Sequence, residues 1–199
     1  PGMVSIIVFG LNFKTAPLAM RESVVVPSDR LPAALAQLKQ LKDIRECALV
    51  STCNRTEVVA VADDAGLAKQ ALTQWFHSWA HVSPEQPLSY DGCTGADAVA
   101  YLIRLACGME SLVLGEYQIL GQLKTAFAQA QIVKTTGPIL NKLYHHVVAA
   151  GKRARHETGI GLGTMSVASV AVELASQIFS DLSRHRALVL GAGEMAELA

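Results

Sequence analysis

The order of strand-type and helix-type runs in the first half of the chain limits its fold more than any other feature. Runs rich in β-branched residues, which favour strands, alternate with runs that repeat apolar residues at helical spacing. The order is strand, helix, strand, strand, helix, strand, at residues 4–11, 30–41, 47–52, 57–62, 67–80 and 88–90. This order is typical of a split βαβ sheet of the ferredoxin-like type. We therefore predict an α+β fold for residues 4–92, in which Ser28 or Asp29 caps the first helix and the second helix begins at Asp63 and Asp64.

From residue 95 onward the apolar periodicity is helical. Three stretches show it, at residues 97–107, 118–134 and 138–156. Gly159 to Gly163 breaks the pattern, and another helix is predicted within residues 164–183. The predicted organisation is a domain at 1–160, with an α+β part at 4–92 and a helical part at 95–158, followed by a linker helix.

The last residues indicate the start of a dinucleotide-binding unit. An apolar strand begins at Ala187 and leads into a glycine-containing turn and a helix start, where backbone can approach a pyrophosphate. The candidate cofactor-binding residues are Gly191, Ala192, Gly193, Glu194, Met195 and Ala196. Because no further strands follow before residue 199, we expect a truncated Rossmann domain over residues 187–199.

Composition excludes several classes of function. Lysine and arginine together number 17, and aspartate and glutamate also number 17, so a global basic field for nucleic acid is absent. No apolar run reaches membrane-spanning length and no signal peptide is evident, so we expect a cytoplasmic protein that does not enter a membrane. The four cysteines form no CxxC pair, so no metal site is predicted.

A polar cluster lies where one predicted strand ends and the next begins, at Ser51 to Glu57. Cys53 is its only good nucleophile, and the positive charge of Arg55 would favour the reactive thiolate. A cysteine beside an apolar strand is also often a small buried hydrophobe. The cluster alone leaves both interpretations open.

Three motifs together resemble glutamyl-tRNA reductase. They are Ser51 to Glu57 (STCNRTE), Gly10 to Glu22 (GLNFKTAPLAMRE) and Glu110 to Lys124 (ESLVLGEYQILGQLK). The resemblance implies an NADPH-dependent oxidoreductase of tetrapyrrole (porphyrin) biosynthesis. It would reduce glutamyl-tRNA to glutamate-1-semialdehyde through a Cys53 thioester. It also implies a long spinal helix at 164–183, a homodimer, and glutamate-1-semialdehyde aminomutase as a partner.

The resemblance also implies roles for individual residues. Cys53 would be the nucleophile, Thr52 and Asn54 would position the carbonyl or its oxyanion, and Arg55 would bind the substrate's side-chain carboxylate. The remaining substrate-binding residues implied are Ser111, Glu116, Tyr117, Gln118 and Gln122. Two simpler roles stay open, since Glu116 could be a plain charge at a helix start and Ser111 a helix cap.

Three positions depart from the family pattern. Tyr101 stands where an active-site histidine is expected, Phe13 also replaces a histidine, and Tyr117 replaces a proline. A tyrosine can donate a hydrogen bond but is a poor base near neutral pH. We therefore expect that Tyr101→His would speed acyl transfer.

Two other functions compete with an enzyme. Residues 134–156 contain five lysines and arginines and no acidic residue, which could be a solvated helix face or a patch for tRNA phosphates. The first alternative is therefore a non-catalytic module that binds tRNA or a partner protein. The second is an unrelated dehydrogenase, which would leave the upstream motifs unexplained.

Overall fold

The computed structural model describes residues 4–161, 167–179, 181–186 and 188. Four strands form the sheet: β1 Ser5–Asn12, β2 Ile44–Ser51, β3 Arg55–Ala62 and β4 Asp91–Thr94. The helices are α1 Leu18–Val24, α2 Leu31–Lys39, α3 Ala65–Trp79, α4 Gly95–Ala106, α5 Gln118–Ile132, α6 Pro138–Glu157 and α7 Val167–Ile178. Short 3₁₀ turns lie at Gly159–Gly161 and Leu182–Arg184.

The sheet is entirely antiparallel, with the order β2-β3-β1-β4. Strand β1 pairs along its whole length with β3, from Ser5 opposite Ala62 to Asn12 opposite Arg55. All eight residues of β3 are buried, because helices cover both faces of the sheet. The predicted α+β class is therefore confirmed.

The fourth strand lies later than predicted. It spans Asp91–Thr94, and the residues proposed for it, 88–90, are not in a strand. Gly92 pairs with Phe9, and a Cβ on Gly92 would lie 2.8 Å from Phe9 Cδ2, so this register needs a residue without a side chain. Tyr90 instead stacks on the Phe9 ring with centroids 5.0 Å apart. The aromatic ring of Tyr90 therefore packs against the core at the edge of the sheet, and Tyr90 is not part of the strand.

Helix starts were predicted with mixed success. Asp64 caps α3, accepting hydrogen bonds from the backbone of Gly66 and Leu67, as its position suggested. The cap predicted for α2 at Ser28 or Asp29 is wrong, because Arg30 occupies the cap position and makes no side-chain cap. Helix α1 has only seven residues and was not predicted.

The helical part packs on the sheet through α4, α5 and α6, whose buried faces continue one core. Glu46 on β2 is 7% exposed, and its carboxylate accepts hydrogen bonds from the backbone N–H groups of Gly137, Ile139 and Leu140. This carboxylate therefore joins the edge of the sheet to the start of α6.

The end of the chain is described only in part. Helix α7 falls within the predicted linker helix, and the side chains described in it are exposed or half-buried. The predicted cofactor-binding residues Gly191 to Ala196 lie outside the described residues. Among the helices that are described, none is both long and apolar enough to cross a membrane.

Candidate active site

Cys53 lies in the short turn between β2 and β3. The turn is closed by a hydrogen bond from Thr52 N to Arg55 O, 2.7 Å, and by one from Asn54 N to Thr52 Oγ1, 3.2 Å. Both flanking strands are buried, so the turn is held at a fixed place on the sheet edge. The Cys53 side chain is exposed there.

Two residues of the Gly10–Glu22 motif hold this turn in place from outside it. The guanidinium of Arg21, on α1, donates to Cys53 O at 2.9 Å and to Asn54 Oδ1 at 3.3 Å. Phe13 N donates to Asn54 O at 2.9 Å. Sequence reasoning assigned Arg21 no role, although its place within a motif of the resemblance was the available signal.

A cavity of about 200 Å³ opens at Cys53. Its walls come from the Cys53 turn on one side and from the segment that leads into α5 on the other. The lining residues are Thr52, Cys53, Asn54, Arg55, Ser111, Leu112, Glu116, Gln118, Ile119 and Gln122. Every predicted nucleophile or substrate-binding residue lines this cavity except Tyr117, while Leu112 and Ile119 were missed.

Arg55 is 2% exposed and is the centre of a buried polar network. Its Nη1 donates to Glu57 Oε2 at 3.3 Å and to the Tyr101 hydroxyl at 2.7 Å, and its Nη2 donates to Glu110 O. Asn12 Nδ2 donates to Glu57 Oε1 at 3.1 Å. Three of the five guanidinium N–H groups are therefore committed to the protein.

Tyr101 lies behind Arg55 and does not line the Cys53 cavity. Its hydroxyl accepts from Arg55 and donates to Glu57 Oε1 at 2.6 Å. Burial, and then the charge of Glu57, raise the pKa of Tyr101 far above its usual value. The structure thus places this hydroxyl as a bridge between two charged side chains.

Glu110, the first residue of the Glu110–Lys124 motif, connects this network to charged side chains at the surface. Its carboxylate pairs with Lys14 and with Arg104 Nε, the latter at 2.8 Å. Burial raises the pKa of this carboxyl, but hydrogen bonds and charge from Lys14 and Arg104 outweigh it, so the pKa is lowered. Glu110 therefore holds a negative charge beside the segment that carries Ser111.

Ser111 and Glu116 are polar groups in the cavity wall with little compensation from the protein. Ser111 Oγ is buried and has no hydrogen-bond partner, so this residue does not cap a helix. Glu116 is 7% exposed, and burial raises the pKa of its carboxyl despite the charges of Arg55 and Arg155. Buried polar groups normally have partners, so both are suited to meeting a polar ligand.

The other three cysteines differ from Cys53. Burial raises the pKa of Cys47 to about 11, and it also raises the pKa values of Cys93 and Cys107. These thiols are therefore held in the unreactive protonated form. Cys53 is the exposed thiol of the four.

Tyr117 lines a second cavity, of about 480 Å³, next to the first. Thr52, Gln118 and Gln122 line both cavities. Tyr117 is 46% exposed and stands at the start of α5. The structure therefore places Tyr117 beside the Cys53 cavity and not within it.

Comparison with known proteins identifies relatives along almost the whole chain. The glutamyl-tRNA reductase of Bacillus subtilis (strain 168) is 44% identical over 98% of this chain, and that of Oceanobacillus iheyensis is 43% identical over 96%. The match covers 43% and 42% of those relatives, so this chain spans less than half of their length.

A solved structure supports the same relationship. Glutamyl-tRNA reductase from Methanopyrus kandleri is 32% identical, with a TM-score of 0.67 over 96% of this chain and 44% of that chain. The family model described as "Glutamyl-tRNAGlu reductase, N-terminal domain" matches residues 9–158, which include all of the sheet except the first half of β1, the Cys53 cavity and α4 to α6. The chain therefore belongs to the glutamyl-tRNA reductase family.

Proposed function

We propose that this chain carries the catalytic part of a glutamyl-tRNA reductase, in which Cys53 takes the glutamyl group from glutamyl-tRNA. The observation that carries the proposal is the cavity at the exposed Cys53 thiol, which two distant motifs line together. A reactive thiol in a small polar cavity is the arrangement that acyl transfer needs.

The acyl transfer step is a substitution at the ester carbonyl. The Cys53 thiolate adds to the carbonyl carbon, and Thr52 and Asn54, which line the same cavity, would stabilise the oxyanion that develops. The bond between that carbon and the ribose oxygen then breaks. The ribose oxygen takes up a proton, uncharged tRNA leaves, and the glutamyl group stays on Cys53 as a thioester.

The cavity wall offers complementary groups for glutamate. Arg55 keeps two N–H groups beyond its bonds to Glu57, Tyr101 and Glu110, and these would bind the side-chain carboxylate. The Glu116 carboxylate would accept hydrogen bonds from the substrate's α-ammonium group. The positive charge of that group would compensate the buried negative charge of Glu116. Ser111 Oγ, Gln118 and Gln122 would complete the hydrogen bonds.

The second half of the reaction needs a hydride. Bound NADPH would supply it to the thioester carbonyl, giving glutamate-1-semialdehyde and free Cys53. The family resemblance supports Gly191 to Ala196 as the start of that cofactor site. Homodimerisation and an aminomutase partner rest on the same resemblance, and a cytoplasmic location rests on the sequence alone.

The predicted domain organisation is part of this proposal. We place the ferredoxin-like subdomain at residues 4–92, supported by the antiparallel order β2-β3-β1-β4. The helical subdomain would span 95–158, with a spinal helix at 164–183 and a Rossmann domain beginning at 187. The position of α7, Val167–Ile178, supports the spinal helix.

The test is acylation of the protein by its substrate. The chain is mixed with glutamyl-tRNA, quenched in acid and weighed intact, beside Cys53→Ser and the matched control Cys93→Ser. We expect a hydroxylamine-labile gain of one glutamyl group in the parent and in Cys93→Ser, and none in Cys53→Ser. No adduct on the parent, with tRNA binding intact, would instead support the non-catalytic binding module.

A further inference from the structure

Arg21 lies on α1 and contacts the Cys53 turn only through neutral oxygen atoms. Its Nη1 donates to Cys53 O at 2.9 Å and to Asn54 Oδ1 at 3.3 Å. Within the described part of the chain, none of the ion pairs includes Arg21. The acceptors of this guanidinium are therefore a backbone carbonyl and a side-chain amide beside the nucleophile.

The Arg21 side chain is held there at a cost to the fold. Its Nε is buried and has no hydrogen-bond partner. Buried donors normally have partners, and a donor left without one destabilises the folded state. Stability of the folded state alone therefore does not account for an arginine at this position, and we looked for a role in the reaction.

Hydrogen bonds hold three of the four polar atoms of Asn54. The backbone N donates to Thr52 Oγ1 at 3.2 Å, and the backbone O accepts from Phe13 N at 2.9 Å. The side-chain Oδ1 accepts from Arg21. The side-chain nitrogen, Nδ2, donates to no group among the residues that the structure describes. Asn54 is therefore fixed in place with one donor unused.

Arg21 also determines which way the Asn54 amide faces. A guanidinium carries donors only, so the amide atom that meets it has to be the oxygen. The amide group is planar, and Nδ2 therefore faces away from Arg21. Because Asn54 lines the Cys53 cavity, Nδ2 is the atom of this side chain that is free to donate to a group bound there.

We propose that Arg21 is a positioning residue, which orients Asn54 Nδ2 as a donor to the oxyanion of acyl transfer. This rests on the proposed function, in which the Cys53 sulfur bonds to the carbonyl carbon and the π electrons move to the carbonyl oxygen. Nδ2 donates to that oxygen until the carbonyl re-forms and the leaving oxygen departs with the electron pair of its bond. A donor fixed before the reaction needs no reorganisation as the charge develops.

The experiment separates stabilisation of the oxyanion from reactivity of the thiol. Cys53 is acylated by p-nitrophenyl acetate, whose carbonyl oxygen becomes an oxyanion and whose p-nitrophenolate leaves without a proton. In parallel it is alkylated by iodoacetamide, where the thiolate displaces iodide at a saturated carbon and no oxyanion forms. Both rates are measured by intact mass, with Cys53→Ser as the background. The ratio of the acylation rate to the alkylation rate reports the oxyanion alone.

We expect Asn54→Ala to lower this ratio about 100-fold, the loss typical of one oxyanion donor. Arg21→Met should lower it about tenfold, because the Asn54 amide is then free to rotate. The combined variant should match Asn54→Ala within about twofold, since Arg21 acts through Asn54 and the two losses do not add. Arg45→Met removes a half-exposed guanidinium at the opposite end of β2 and is the matched control, with an unchanged ratio.

Two results would overturn the role of Arg21. An unchanged ratio in Arg21→Met, including an equal fall of both rates, would show that Arg21 only holds the turn or favours the thiolate. Independent losses that multiply in the combined variant would show that Arg21 acts without Asn54. Because neither probe contains glutamate or tRNA, the proposed function is judged separately. A parent that accepts the acetyl group but not the glutamyl group of glutamyl-tRNA would contradict that function and leave the result for Arg21 unaffected.

Discussion

Glu116, which we propose binds the substrate, shows how a single buried carboxyl can oppose stability. Burial raises the pKa of its carboxyl, so the folded state binds this proton more tightly than the unfolded state does. Stability from this group is complete below the unfolded pKa, about 4.3, and is lost as pH rises through the folded pKa. We expect Glu116→Gln to raise the melting temperature at neutral pH, to leave it nearly unchanged below that pKa, and to slow acylation.

The control for this prediction is Glu157→Gln. Arg153 hydrogen-bonds to this exposed carboxylate and lowers its pKa, so its contribution has the opposite sign and should be small. Melting temperatures of both variants across pH, by circular dichroism, make the comparison. A fall at neutral pH in Glu116→Gln would show that its carboxylate is compensated within the fold.

The Tyr101 hydroxyl is expected to act through Arg55. Tyr101→Phe would leave Arg55 Nη1 without one acceptor and Glu57 without one donor, both buried, at a cost of about 1–3 kcal/mol. A less fixed Arg55 should raise KM for glutamyl-tRNA more than it lowers kcat. In Tyr144→Phe, which keeps the ring stacked on Phe127, both constants should be unchanged.

Equal loss of kcat and kcat/KM in Tyr101→Phe would instead assign this hydroxyl to the transition state. The faster acyl transfer expected of Tyr101→His stays a prediction, which the same kinetics would measure. An imidazole in this position would have to act from behind Arg55, because residue 101 does not line the Cys53 cavity. A faster or slower acyl transfer in Tyr101→His would therefore show whether a change at residue 101 affects the reaction through Arg55.

At the scale of elements, the carboxylate of Glu46 is expected to hold β2 against α6. Its three hydrogen bonds come from the backbone at the positive end of the helix, where a negative charge is favoured. Glu46→Gln keeps the size of the side chain and removes its charge. We therefore expect the free energy of unfolding, measured in urea, to fall by about 1–3 kcal/mol. Glu85→Gln, at an exposed loop position, is the control and should leave the free energy of unfolding unchanged.

The contrast between predicted and observed elements follows from the distance over which each signal acts. Periodicity within about fifteen residues located three of the four strands and every helix beyond α1. The joint between Glu46 and the start of α6 spans more than ninety residues and leaves no local pattern. The strand at 91–94 was misplaced because the need for Gly92 comes from its contact with Phe9 on β1, and no local sequence pattern shows that contact.

The same reasoning explains what was predictable in the site. Two motifs gave the residues of the Cys53 cavity, because chemistry-bearing residues cluster in short segments. The partners of Arg55 were not predicted, although Glu57 two positions later points to the same face of β3. Alternation along a strand was therefore a usable signal for this pair, whereas the contact with Tyr101 was not accessible from spacing.

At the scale of the whole molecule, the balance of charge is even, so attraction for RNA must be local. The exposed side of α6 carries Lys142, His145, His146, Lys152 and His156, which recur at helical spacing. Glu157 pairs with Arg153, so part of the positive charge is already neutralised. Arg155 donates to Glu116 O at 2.8 Å, which places the last turn of α6 beside the Cys53 cavity.

This arrangement predicts that α6 contacts tRNA phosphates while the 3′ end reaches Cys53. Lys142→Glu combined with Lys152→Glu should weaken tRNA binding. The slope of the logarithm of the binding constant against the logarithm of salt concentration should become shallower by about two, one for each lost phosphate contact. Acylation by 3′-O-glutamyl adenosine should be unchanged, because that donor has no phosphates. Filter binding across salt concentrations and intact-mass acylation measure the two effects.

The control carries the same change of net charge elsewhere, in Lys42→Glu combined with Lys69→Glu, on the α2–β2 connection and on α3. If binding depends on local charge, this control should keep the parent's salt dependence. If both double variants lose affinity equally, the overall field of the protein dominates and α6 is only a solvated helix. Since the parent has no net charge, that field is weak, and this favours the local effect.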